Sequence, residues 1–497
     1  MNTLLLQKLF HNWPQVKNLL SFVENEEFGV KEIEGISGSV TAFFAKELSK
    51  KCVFVVPSEK DCSELILDLT TVFTDDKGIL QADILTLPWW GMVHYRPCAK
   101  GAVVFGERAS FLSKLAFNES QGILSEKNKK PTFYVISQRA LLTPVPPADY
   151  VKSLVFTIKK GQTFDPTNVA EKLSQLGYLR VPRVTVRGEF TLRGEVLDIF
   201  MPGEEFAHRI VFDFDEVEQI KSFSPETQSS IETVNSLLIY PMKEVVWNDE
   251  LVSELENRLK NRKDLSEFDF SSYLTELMVS HESEGEELFY PLLWQSEENN
   301  VYQSSVLSYL DSNTKVFFCD YDRQKNSQES FEREFLGLYR KAKTLIETEN
   351  ARPVPPPQDI LLNFSNLMDF CKNAILFRTI HGEDSLAKDR FTLEVESPRS
   401  FFGNINYLKE SIENLLKEEY KIFIFAESEN QALRINEILK DYVDFKSGKL
   451  QILPLSISGG FGIPQEKILV IQENEIFGRR KHAPKSVKHA KSSVIDT

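Results

Sequence analysis

Short apolar runs alternate with amphipathic stretches between residues 30 and 150. Cys52 to Val56 (CVFVV) is a β-branched and aromatic run closed by Pro57, and Glu59 to Phe73 then repeats its apolar positions at helical spacing. That is one strand-then-helix step. It recurs with Ile84 to Leu87 ahead of Pro88, and with Phe133 to Ile136 ahead of the helical Gln138 to Leu142, so the pattern predicts a parallel α/β sheet.

From Tyr150 the period changes to two. Ser153 to Ile158, Gly188 to Met201 and Arg209 to Phe214 alternate as strands do, with one helical stretch, Pro166 to Leu176, ahead of Gly177. This predicts an α+β insertion. After Leu237 to Pro241 helical spacing returns, and Lys315 to Cys319 (KVFFC) reads as a strand of the first sheet that ends on Asp320. A charged helix, Glu329 to Glu349, leads into Ala351-Arg352-Pro353-Val354-Pro355-Pro356-Pro357, whose prolines lack amide donors and favour a stiff, extended connection. Beyond it, Ile422 to Phe425, a helix from Glu429 to Leu439, a Gly459-Gly460 turn and Ile468 to Ile471 predict a second, smaller α/β unit.

The expected organisation is therefore a first α/β part at 1–149, an insert at 150–233, the return of the first unit at 234–350, a linker at 351–357, a small α/β domain at 358–478 and a basic tail at 479–497. Length agrees, since 497 residues call for about three units of roughly 100–200 residues each. With 42% hydrophobic and 26% charged residues the composition is that of a globular chain. No uncharged apolar stretch reaches ~18 residues, which predicts a cytoplasmic protein without signal or anchor. Five scattered cysteines, without a CxxC pair or a histidine at ligand spacing, predict buried thiols and no metal. A net charge of −15 argues against a protein whose main task is wrapping nucleic acid, and the best candidate for a local basic patch is the tail (Arg479, Arg480, Lys481, Lys485, Lys488, Lys491), whose alternative is a solvated linker.

Gly35-Ile36-Ser37-Gly38-Ser39-Val40-Thr41-Ala42 stands where a phosphate-binding loop would, just before a helix. A working loop needs G-x-x-x-x-G-K-[ST], in which glycine turns amides onto the phosphates, lysine neutralises them and the hydroxyl holds Mg²⁺. Here Val40, Thr41 and Ala42 replace those three residues. The acidic strand end that completes such a site is eroded too, with Asp320 followed by Tyr321 where a catalytic Glu belongs. No nucleotide or other cofactor is expected. G-x-S-x-G and HExxH motifs are also absent, so no catalytic residue is assigned.

The most specific stretch is Gly177-Tyr178-x-Arg180-Val181-x-x-Val184-x-x-x-Gly188-Glu189-Phe190-x-x-Arg193-Gly194-x-x-Leu197-Asp198-Ile199-Phe200-x-Pro202. It closely resembles the UvrA-interacting domain shared by UvrB and the bacterial transcription-repair coupling factors. Gly285 to Leu292 (GEELFYPL) and Glu473 to Gly478 (ENEIFG) are similar to the coupling factors, and the short Leu87 to Pro97 segment replaces the long DNA-clamping hairpin that UvrB would carry. The resemblance implies a degenerate helicase-like α/β domain with an inserted UvrA-binding module. It also implies an N-terminal fragment, whose longer family member would engage RNA polymerase and double-stranded DNA through an ATP-driven translocase.

Residue by residue, the resemblance carries UvrA contact onto Arg193 and Arg209. The aromatic that should follow four residues after the second arginine is Asp213, so Phe212 or Phe214 is expected in its place. The alternative for both arginines is a salt bridge within the insert, to Glu189, Glu195 or Glu216. Trp89 and Trp90 are read either as a surface anchor or as packing under a loop. Three functions remain open: a non-catalytic adaptor that recruits UvrA, a UvrB-type DNA-dependent ATPase, and a stand-alone regulator.

Overall fold

A computed structural model describes residues 3–25, 29–91, 95–96, 98–120, 130–266, 268–294, 304–311, 314–349, 352–371, 373–379, 387, 389–397, 400–442 and 448–478. The basic tail at 479–497 and Ala351 of the expected linker lie outside the described residues.

The first sheet begins with β1 (Lys31–Glu34), β2 (Cys52–Val56), β3 (Asp83–Leu87) and β4 (Thr132–Ser137). β2 and β4 are buried along their whole length, as continuous apolar runs in a parallel sheet require. The Glu59–Phe73 helix follows β2 and is capped by the Ser58 side chain, which accepts from the Asp61 amide.

The insert contributes β5 (Phe156–Lys159), β6 (Leu179–Arg180), β7 (Glu189–Arg193), β8 (Val196–Ile199), β9 (Ala207–Asp213), β10 (Glu216–Phe223), β11 (Ser230–Val234) and β12 (Ser236–Ile239). Six of these form one sheet in the order β11-β10-β9-β8-β7-β6, and β5 pairs with β12 beside it. The expected boundary at 233 thus cuts the module, because β12 closes it by pairing with its first strand. The expected strand from Ser153 is in part a helix, Ala148–Leu154, and extended backbone begins only at Phe156.

Later in the chain come β13 (Lys315–Phe318), β14 (Ile375–Arg378) and β15 (Asp389–Thr392), and the first sheet is seven-stranded in the order β15-β1-β14-β13-β2-β4-β3. The linker boundary is therefore corrected. Two strands from beyond the prolines belong to the first sheet, with β1 wedged between them in parallel register. Nor is the proline segment a free tether, since Pro353, Pro355 and Pro356 are buried and Tyr95 donates to the Pro355 carbonyl at 2.9 Å. The preceding helix is also longer than its charge pattern suggested, running from Tyr321 to Glu349 directly off β13.

β16 (Lys421–Phe425), β17 (Leu450–Leu453), β18 (Phe461–Ile463) and β19 (Ile468–Gln472) make the second sheet, ordered β17-β16-β19-β18. It shares a core with the first one, where Phe43 meets Phe461 at 5.6 Å between ring centres. The acidic pair in GEELFYPL is structural: Glu286 is fully buried and accepts from Lys243, Tyr290 and the Trp247 indole.

Candidate functional site

β1 ends at Glu34, the turn takes positive φ at Gly35 and Gly38, and the helix starts at Val40, so strand, loop and helix follow one another as at a phosphate site. The amides turn inward. Those of Val40, Thr41 and Ala42 donate to the carbonyls of Ser37, Gly38 and Ser39 at 3.2, 3.1 and 3.0 Å, folding back into the loop. Val40 takes no positive φ, since the two glycines supply it. A Cβ on Gly35 would strike the Leu393 carbonyl, which fixes glycine there.

Gly38, Thr41 and Asp320 border one cavity of about 140 Å³, whose other charges are Asp61, Glu64, Asp68 and Arg378. Gly35 and Val40 do not reach it. Arg378 is already held by Glu32 at 3.1 Å and Asp322 at 2.5 Å, so the cavity presents a surplus of carboxylates that would repel phosphate. The second sheet closes the site: Ser39 donates to the Gly459 carbonyl at 2.7 Å, and Ser458 bonds Asp68 through its amide and hydroxyl at 2.6 and 2.5 Å. Among the described residues, no group of three His, Cys, Asp or Glu is placed to hold a metal.

The insert is arranged differently. Antiparallel register places Ile210 and Phe212 of β9 on the face covered by the Pro166–Gln175 helix, together with Phe190, Leu197 and Ile220. The other face is half-open, with Thr191, Asp198, Ala207 and Phe223 covered and the rest part-exposed. On it, Arg193 lies opposite Val196, Val196 opposite Val211, Val211 opposite Gln219, and Arg209 opposite both Asp198 and Lys221. The two expected arginines thus share one face. Phe212, 1% exposed, is core and not a contact residue, whereas Phe214 is 80% exposed at the β9–β10 turn.

Neither arginine pairs with Glu189, Glu195 or Glu216. Arg209 grips Asp198 with two bonds of 2.7 and 2.8 Å, and Arg193 donates to the Pro182 carbonyl. The floor residues Val196, Val211, Gln219 and Lys221 escaped the sequence reading, although period-two spacing from Arg209 marks Val211 and hairpin pairing marks the rest. Trp90 is 6% exposed with Arg108 stacked 4.4 Å over its ring, and Trp89 lies beneath Arg139, so neither is a free anchor.

The insert is seated on the Val103–Ser120 helix. Gly106 abuts Pro202, Gly203 abuts Ser110, Lys114 bridges Glu204 at 2.8 Å, and Tyr240 donates to the Pro202 carbonyl at 2.7 Å. Side chains larger than hydrogen at 106 would collide with the proline ring.

Residues 156–245 match the family model of the UvrB interaction domain, a span that begins at β5 and ends just after β12. The insert is a UvrB interaction domain. The whole chain is similar to the transcription-repair-coupling factor of Borreliella burgdorferi, 28% identical over 502 residues that cover 99% of this chain and 40% of that protein. It is similar to the Bacillus subtilis factor at 23% identity over 94% of this chain and 40% of that one. A Myxococcus xanthus factor is 29% identical over 43% of this chain. The chain thus spans about two-fifths of the length of the first two relatives and resembles the N-terminal region of such factors. Its architecture is a helicase-like α/β domain carrying an inserted UvrB interaction domain, followed by a second small sheet. No helix among the described residues is long and apolar enough to cross a membrane.

Proposed function

We propose that this chain is a recruitment module of transcription-coupled nucleotide excision repair, which binds UvrA through its UvrB interaction domain and performs no chemistry itself. The observation that carries the reading is the open face of the insert, where Arg193 and Arg209 stand on one rigid sheet. Arginine is favoured at binding hot spots because its planar fork bonds carboxylates in pairs, and a sheet holds it at little entropic cost. The absence of chemistry rests on the self-satisfied amides and the carboxylate-rich cavity, which speak against the ATPase reading. In a longer protein the module would bring UvrA to RNA polymerase on double-stranded DNA, with nucleotide used elsewhere.

The test is calorimetric titration of purified UvrA with the whole chain. Wild type is expected to bind, and Arg193→Ala and Arg209→Ala to bind roughly tenfold more weakly or worse while remaining folded by circular dichroism. Equal affinity of folded variants would remove the arginines from the interface, and no binding by wild type would end the recruitment reading.

A further inference from the structure

The open face has a wall, and the wall carries charge of its own. Residues 181–187 fold over one end of the sheet, where Val184 and Val181 pack on Phe200, Ala207 and Phe223. The Arg209 guanidinium sits 4.7 Å over that same Phe223 ring, and Arg193 donates to Pro182 within the loop. Arg193 therefore borders the loop directly, and Arg209 borders it through Phe223.

The loop is built to stay in place. One oxygen of Glu189 accepts from the Thr185 amide at 2.7 Å, the Thr185 hydroxyl at 3.0 Å and the Val186 amide at 2.9 Å. The Glu189 carboxyl lies below its usual range despite the upward pull of burial, because these three donors favour its ion. At either end, Leu179 and Val181 donate to the carbonyls of Gly188 and Phe190, both at 2.9 Å. With Val184 turned inward, the outer side presents Arg183 and Val186, the latter 58% exposed, while Leu179 is 65% exposed beside Glu189 at the sheet edge. Exposed aliphatic side chains are thus set among arginines on a preorganised loop.

Charge points to the occupant. With Arg180 turned to the helix side, residues 179–193 still hold Arg183, Arg187 and Arg193 against the single carboxylate Glu189, which is spent on the loop amides, in a chain of net charge −15. Aliphatic and not aromatic residues are interleaved with the arginines, which suits a protein surface better than stacked bases.

Resting on the recruitment reading, we propose that the 179–187 segment is a second wall of the same interface, with Leu179, Arg183 and Val186 gripping an acidic, partly apolar patch on UvrA. The register supplies its own control. Arg180 lies opposite Phe190, whose side chain is in the core, so Arg180 leaves the sheet on the helix side, away from the open face.

Purified UvrA is titrated with the whole chain as wild type, Arg183→Glu, Arg183→Lys, Val186→Asp and Arg180→Glu, each checked by circular dichroism, and the first two are also titrated with duplex DNA. Arg183→Glu and Val186→Asp should weaken UvrA binding by about tenfold or more, Arg183→Lys should restore most of it, and Arg180→Glu should cost less than about threefold. If wild type binds UvrA and Arg183→Glu binds equally well, the wall is not part of the interface and recruitment stands without it. Equal losses in Arg180→Glu and Arg183→Glu would mean a general electrostatic field and overturn the proposal, as would loss of DNA binding alone in Arg183→Glu. A wild type that binds no UvrA removes the recruitment reading and this one with it.

Discussion

Arg209 carries two demands at once, since it stands on the face proposed to meet UvrA and also neutralises Asp198, which is only 8% exposed. Arg209→Ala should therefore cost stability as well as affinity, about 1–3 kcal/mol for the carboxylate left without its partner. Pairing it with Asp198→Ala should return much of that stability while binding stays weak, which thermal melts and calorimetry on the same samples would separate. A full recovery of binding in the double variant would show that Arg209 acts only inside the insert. His208, one strand position earlier, has its Nδ1 buried without a hydrogen-bond partner. Burial pushes its imidazole below the usual value, with Glu204 opposing and Lys114 adding to the shift. The unfolded chain therefore takes up this proton first, near pH 6.5, and stability present above that pH is lost as it falls toward the folded value. Glu204 is itself held below the usual carboxylate range and titrates outside this window. The expected outcome is a melting temperature that drops between about pH 7.5 and 5.5 in wild type and drops less in His208→Gln.

At the level of elements, the phosphate loop shows how far spacing can be read. The lost lysine and glycine were visible in Thr41 and Val40, but the closure of the amides onto Ser37, Gly38 and Ser39 was not, because it depends on backbone angles. Restoring the motif with Val40→Gly, Thr41→Lys and Ala42→Ser should for that reason fail to bring back nucleotide binding. Titration with ATP and Mg²⁺ on the folded triple variant checks this, and saturable micromolar binding would contradict it. Phe212 and Phe214 illustrate a different limit. Both fitted the missing aromatic by position and both share one parity, so alternation cannot separate them; β9 ends at Asp213, and Phe214 turns outward in the hairpin at positive φ while Phe212 stays in the core. Arg193 and Arg209 are brought to one face by the register across β7, β8 and β9.

On the scale of the molecule, the buried central strands such as β2, β4, β13, β16 and β19 were legible as apolar runs, whereas β1, β10, β11, β17 and, above all, the return of β14 and β15 to the first sheet were not. Ile375 to Arg378 is a run of only four, and nothing local says that it returns across the prolines to lie between β1 and β13. A chain cut at residue 357 would lose both strands, leave β1 without either neighbour and expose Phe317 and Ile33, which are fully buried. It should aggregate, while limited proteolysis of the whole chain should spare residues 353–357. A soluble, cooperatively melting fragment 1–357 would restore the proline segment as a domain boundary.

The seating of the insert on the Val103–Ser120 helix has a mechanical meaning. Gly106 against Pro202 and Gly203 against Ser110 leave no gap for rocking, and Lys114 with Glu204 pins the same edge. A dye attached at the exposed Glu218 of β10 should then tumble with the whole molecule, and Gly106→Leu should add a faster component to its anisotropy decay. Whatever cargo the insert holds is carried as if on a welded bracket: when the first sheet turns, the cargo turns through the same angle, without play and without delay.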